Sequence, residues 1–170
     1  STINGAALAT PVFLSLYAEN DLRLDKYFAE TDEKGFRKNK KAGSNNYLCT
    51  FRVGEIYLTA AEAAARLGEL SQARTRLLEL MWKRYAPEAY EAKSVVVNAM
   101  DKEALVQEIL DERARELAFE GHRWFDLRRS TRPRLEKVLD GTRYVLEEND
   151  ARYTLAIPKE AIEANPGLLN

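Results

Sequence analysis

The sequence predicts a mainly α-helical protein: a helical hairpin, then one long charged helix, with irregular loops and a short β-hairpin near the C-terminus. Three observations predict this. Apolar residues recur at steps of three and four in an Ala-rich stretch that begins at Phe51, and again after Asp101. Turn residues punctuate these stretches at Gly68, Pro87 and Pro133. The composition, 45 % hydrophobic and 31 % charged residues with only eight Gly and five Pro, suits a helix-rich globular chain. Its 170 residues suit one domain with a sizeable core. With 26 basic and 27 acidic side chains, the net charge of −1 gives no bulk attraction to nucleic acid or to an anionic membrane. No apolar run reaches the roughly 18 residues of a membrane span.

Residues 1–50 read as an irregular lead-in, with a short helix over Asn20–Phe28. Thr31–Asn46 is polar and Gly-dotted. It sets Lys34, Arg37, Lys38, Lys40 and Lys41 against Asp32 and Glu33 and reads as a solvated loop, with anion binding as the alternative. Residues 51–86 predict an αα-hairpin. Val53, Ile56, Tyr57, Ala60, Ala63, Ala64 and Leu67 form its first stripe, small enough for another helix to approach closely. Gly68 suits a C-cap and Ser71 an N-cap. Leu77, Leu78, Met81 and Tyr85 form the second stripe, and Pro87 follows its end. The texture AEAAARLGELSQARTRL resembles a single tetratricopeptide unit, without a second copy about 34 residues away.

Residues 88–100 read as a connecting segment. Asp101 then caps a long helix over 101–130 whose core stripe is Leu105, Ile109, Leu110, Ala114, Leu117, Gly121, Trp124 and Phe125. A glycine inside a helix costs about 1 kcal/mol relative to alanine, so Gly121 is expected to admit another backbone. Pro133 ends the helical phase. In 140–170, Asp140-Gly141 is a turn pair. Tyr144, Leu146, Tyr153, Leu155 and Ile157 alternate around Glu147–Asp150 as a short hairpin. Pro158 starts a short helix that Asn165-Pro166 stops.

The charged stretch ERARELAFEGHRWFDLRR invites a catalytic reading. Glu112, Glu116 and Glu120 recur every four residues, however, and so face one way. A glycosidase needs two carboxyls about 5–9.5 Å apart on opposite sides of a sugar. A metal site finds only one histidine, His122, and the lone Cys49 has no partner. No cofactor is expected. Nucleic-acid binding would rest on RWFDLRRSTRPR, but most of these arginines stand where a helix ends and cations favour its dipole. The carboxylates border the apolar stripe, and partly buried charges must be paired. Glu62 with Glu116 or Glu120 is therefore expected to meet Arg113, Arg123 or Arg128 across helix interfaces.

Three ordered blocks resemble the closing part of SusD/RagB-family proteins. The first is Arg52, Glu55, Tyr57, Leu58, Ala61, Glu62 and Ala63. The second is Glu112, Arg113, Glu116, Leu117, Phe119, Glu120, Gly121, Arg123, Trp124, Asp126, Leu127 and Arg129. The third is Ile157, Pro158, Asn165 and Pro166. The tail departs from the family's usual Gln-Asn ending, with Leu169 before Asn170. The resemblance implies the C-terminal portion of a non-enzymatic, glycan- or nutrient-binding lipoprotein on the cell-surface face of the outer membrane in Bacteroidota. Such proteins work with a SusC-like TonB-dependent transporter. It also implies that the second block is a fold signature. The alternative is a helical protein–protein interaction module that binds no sugar.

Sugar sites need aromatic platforms with polar groups nearby. Trp82 stands off the main stripe of its helix near Tyr85, and Tyr90 follows in the predicted connection; these and Tyr47 are the candidate ligand contacts. Core packing is the competing role for Trp82. Trp124 lies in the stripe and is expected in the core.

Overall fold

The computed structural model describes residues 8–41, 52–139, 141–165 and 167. The chain divides into two compact units, Ser1–Arg123 and Trp124–Asn170.

The first unit opens with β1 (Leu8–Ala9), α1 (Pro11–Leu14), α2 (Arg23–Tyr27), β2 (Phe28–Thr31) and β3 (Arg37–Asn39). The strands form an antiparallel sheet in the order β1-β3-β2, with Leu8 opposite Lys38 and Phe28 opposite Asn39. Part of the expected polar loop is therefore a strand. Asp32 makes the turn by accepting from the backbone N–H groups of Lys34 and Phe36 at 2.9 and 2.8 Å. Ala9, Tyr17, Phe28 and Ala118 form a small core here, with Phe13 and Tyr27 packed against it.

Three helices follow: α3 (Val53–Leu67), α4 (Leu70–Met81) and α5 (Pro87–Ala99). Gly68 ends α3 in the left-handed conformation, φ 87°, as expected. Ser71 is not a cap: α4 already starts at Leu70, with no side-chain cap. The expected α3 stripe is corrected as well. The buried face carries Gly54, Leu58, Ala61, Glu62, Ala64 and Ala65, whereas Val53, Ile56 and Leu67 are 68, 47 and 77 % exposed. Alanine surrounds this helix, so two faces satisfy the helical period, and packing selects the one that turns Leu58 and Glu62 inward. The second stripe is largely as expected, with Ala73, Leu77, Leu80 and Met81 buried. The supposed connection 88–100 is the helix α5, with Pro87 in its first turn. Val97 is its one buried residue among those described, which explains its weak apolar period.

The long charged helix is two helices, α6 (Lys102–Glu116) and α7 (His122–Arg129). Asp101 caps α6 by accepting from the Ala104 N–H at 2.9 Å. The chain turns between them through Phe119 and Gly121, at φ 63° and 84°. A Cβ at Gly121 would touch nothing within 4 Å. This glycine therefore supplies a left-handed backbone, not the close helix approach that the sequence suggested. Leu58, Ala61, Leu77, Met81, Val97, Leu105 and Ile109 form the main core between α3, α4, α5 and α6.

The second unit holds most of α7, then β4 (Leu135–Leu139) and β5 (Thr142–Leu146), a short 3-10 turn at Ala151–Tyr153, and α8 (Lys159–Ala164). The hairpin sits one turn earlier than expected. Its strands flank 140–141, pairing Leu135 with Leu146 and Leu139 with Thr142. Residues 147–150 lead instead into the 3-10 turn, which Asp150 caps by accepting from the Arg152 N–H at 2.8 Å. The short C-terminal helix is present, but Pro158 is its N-cap and Lys159, not Pro158, is its first residue.

Candidate functional site

Two features stand out as candidates: the charge cluster around α6 and an aromatic pair beside α4. The cluster centres on Glu112 and Glu116, one helical turn apart on α6, with both side chains at 0 % exposure. Between them lies Arg23 of α2, itself 2 % exposed. Its guanidinium reaches Glu112 at 2.6 Å, Glu116 at 3.2 Å and Asp21 at 2.8 Å. Arg84, just after α4, holds both oxygens of Glu116 at 2.7 and 2.8 Å in a bidentate fork. Arg52, just before α3, adds a bond to Glu116 at 2.8 Å. Arg115 binds Glu112 at 2.7 Å. The Tyr85 hydroxyl donates to Glu112 at 3.3 Å.

Gly54 makes room for this cluster. A Cβ there would lie 2.8 Å from Glu116 Oε1, so only glycine lets the first turn of α3 pass so close to that carboxylate. At the other edge, Glu120 pairs with Arg52 and Lys41. The Lys41 ammonium also donates to the carbonyls of Glu116 and Ala118, which satisfies the C-terminal end of α6. Among the described residues, no buried side-chain polar atom lacks a hydrogen-bond partner.

The electrostatics oppose acid–base chemistry at this cluster. Burial alone would raise the Glu116 carboxyl, but the hydrogen bond and charge of Arg84, with the charges of Arg23 and Arg52, outweigh it and lower the pKa to about 2. For Glu112, burial again opposes ionisation, and Arg23 and Arg115 overcome it, so its pKa also falls. A general acid must hold its proton near the working pH. These two carboxylates are locked as anions against guanidinium groups.

The expected burial and pairing of glutamates with guanidinium groups is present, with Glu116 and Glu120 held by cations from other segments. Glu116 and Glu120 are paired by Arg23, Arg52, Arg84 and Lys41, cations that the sequence reading did not name as partners. Glu62 is buried and meets Arg66 of its own helix at 2.8 Å. Arg113 is buried and donates to the Thr59 hydroxyl at 3.2 Å. Asp126 is buried and pairs with Arg129 at 2.6 Å. Sequence reasoning missed these cations because Arg23 and Lys41 stand in the lead-in, while Arg52 and Arg84 lie at the two ends of the predicted hairpin, just outside the helices that form. The one available signal was Arg52, which opens the first motif block.

The aromatic candidates separate. Tyr85 is 3 % exposed and is spent on Glu112, so it offers no ring face to a ligand. Trp82 is not in the core: it is half exposed and packs edge-on with Tyr90 of α5, centroids 5.0 Å apart at 77°. Tyr47 lies outside the described residues. Trp124 is 36 % exposed, contrary to the core expectation, and stacks on the buried Tyr153, centroids 5.2 Å apart at 8°. Among the described residues, no group of His, Cys, Asp and Glu could hold a metal ion, and no helix is long and apolar enough to cross a membrane.

An α-helical hairpin joined to a buried guanidinium–carboxylate cluster forms a structural framework in which the glutamates are already paired. The chain belongs to the SusD family, whose profile matches residues 9–170. Proteins of this family are non-enzymatic binding proteins. A SusD-like protein of Formosa agariphila is 31 % identical over 115 residues, covering 67 % of this chain and 22 % of the relative. The crystal structure of a SusD-like carbohydrate binding protein from Bacteroides vulgatus shares the fold, with a TM-score of 0.60 at 20 % identity over 92 % of this chain and 40 % of that one. The chain thus spans less than half the length of either.

Proposed function

We propose that this chain is part of a glycan- or nutrient-binding component of an outer-membrane uptake system. In this reading the protein is lipid-anchored on the cell-surface face and delivers an oligosaccharide to a SusC-like TonB-dependent transporter. The observation that carries the reading is the SusD-family match over residues 9–170. The chemistry of the signature region supports it, since the glutamates that a hydrolase would need are consumed as structural ion pairs. Isothermal titration of the intact protein against soluble oligosaccharides tests it: saturable heat without release of reducing ends is expected. Reducing-sugar release, or no heat with any oligosaccharide, overturns it.

A second reading has its own observation. Val53, Ile56, Ala60, Ala63 and Leu67 form an exposed apolar stripe along α3. This favours a helical protein-interaction module, in which association would depend on that stripe while sugars have no effect.

A further inference from the structure

The glycan-binding reading leaves open where on this chain a sugar would rest. We infer that Trp82 and Tyr90 form a stacking platform for a pyranose unit of an oligosaccharide. The inference rests on that reading and adds a site to it.

Four observations carry it. First, Trp82 is one of two tryptophans in the chain and is 50 % exposed, although it sits between the buried Met81 and Tyr85. Exposing an indole that could have been packed forgoes apolar burial, and a ligand that covers it recovers that burial. Second, the indole is held by a rigid backbone. Trp82 closes α4, its N–H donating to the Leu78 carbonyl at 2.9 Å, and Tyr90 stands in the first turns of α5, its N–H donating to Ala86 at 2.8 Å. Third, the two rings meet at 77° with centroids 5.0 Å apart. In a perpendicular pair, either the Tyr90 edge meets one indole face or the indole edge meets Tyr90. Both arrangements leave at least one indole face uncovered by its partner, with an aromatic wall beside it. Fourth, polar groups border the pair. The Lys83 ammonium stands over the indole ring in a loose cation–π contact, 5.9 Å from its centroid, and would meet a sugar seated there at the edge of the platform. Among the described residues, neither it nor the Tyr90 hydroxyl is engaged in a hydrogen bond or salt bridge.

A pyranose ring suits this arrangement. One face of it is a patch of C–H groups that packs on an indole, and its rim is a ring of hydroxyls that need donors and acceptors. Tyr90 and Lys83 supply these within the same surface. A rigid platform also limits the side-chain entropy lost on binding. Trp124 lacks this arrangement, since Tyr153 already stacks on it in parallel.

The test is isothermal titration of wild type, Trp82→Ala, Tyr90→Ala and Tyr90→Phe with a panel of malto-, cello-, xylo- and laminari-hexaoses. Thermal melting checks that each variant is folded. The strongest binder of the panel is expected to lose at least tenfold in affinity with Trp82→Ala and severalfold with Tyr90→Ala, and to lose less with Tyr90→Phe, which keeps the ring. Trp82→Phe, closer in shape, serves if the alanine variant does not fold; it is expected to bind more weakly and to abolish the sugar-dependent fluorescence change. Undiminished affinity in folded Trp82 variants overturns the site and leaves the glycan-binding reading standing. No binding of any hexaose by wild type overturns both.

Discussion

The guanidinium of Arg23 lies 2.6 Å from Glu112 and 3.2 Å from Glu116, joining residues 89 and 93 positions apart in the chain. A short helix near the start of the described residues is thereby wired into α6, and one guanidinium bridges both carboxylates.

Removing one partner of such a cluster is expected to cost about 3–5 kcal/mol, because the remaining charges stay buried without compensation. Glu116→Gln leaves Arg23, Arg52 and Arg84 facing a neutral amide. A large drop in the urea unfolding midpoint is expected. Glu136→Gln, on the exposed hairpin, is expected to leave the midpoint where it was.

Acid should undo the same cluster. The Glu116 carboxyl has a pKa of about 2 in the folded chain against an ordinary value of 4.5. The folded state therefore binds fewer protons than the unfolded state between these values, and stability rises with pH across that window. The contribution is fully present above about 4.5 and is lost as pH falls through about 2, on the order of 3 kcal/mol from this one group. Glu112 adds to it in the same direction. Thermal melting from pH 6 to pH 2 checks this, and Glu116→Gln is expected to flatten the slope.

Gly54→Ala separates helix propensity from packing. Propensity alone would favour alanine by about 1 kcal/mol. The new Cβ would stand 2.8 Å from Glu116 Oε1, so the expected net effect is a loss of about 1–3 kcal/mol. Gly68→Ala meets no atom within 4 Å and loses only through its φ of 87°, by about 1–2 kcal/mol. Denaturant melts of the two variants, each combined with Glu116→Ala, distinguish the causes: the second substitution relieves the first variant alone.

Leu77→Ala and Leu67→Ala test which side of the hairpin is core. Leu77 is fully buried and Leu67 is 77 % exposed. The first is expected to cost about 2–5 kcal/mol, and the second to stay within about 0.5 kcal/mol.

The sequence made the helical hairpin legible because Gly68 and Pro87 punctuate two periodic stretches. It made α6 legible because Leu105, Ile109 and Leu110 keep the period behind a capping Asp101. It misplaced the inner face of α3, since alanine on all sides leaves the period ambiguous and only the neighbouring helices decide. It read one helix across Gly121 because a glycine that continues a stripe and a glycine that turns the chain look alike in one dimension; the positive φ at Phe119 has no sequence signal at all. The cluster was legible through its glutamates, which repeat on one helix. Its cations were not, because Arg23, Arg52 and Arg84 come from three separate segments that meet only in the folded chain. Trp82 was legible as a candidate ligand contact because it stands off the stripe of Leu77, Leu78, Met81 and Tyr85, but core packing competed with that reading, and only the folded chain shows it half exposed.

The placement of Arg23 also bears on the order of assembly. An oily interface tolerates partial closure, gaining a little with each contact. Two carboxylates sealed one turn apart do not, since a half-built chain without that guanidinium leaves Glu112 to Arg115, and Glu116 to Arg52 and Arg84, with less compensation for the same buried charge. The later helices can settle against one another loosely, but their tight junction waits for the early segment to arrive. The ionic knot thereby penalises arrangements in which Asp21 and Arg23 have strayed from α6.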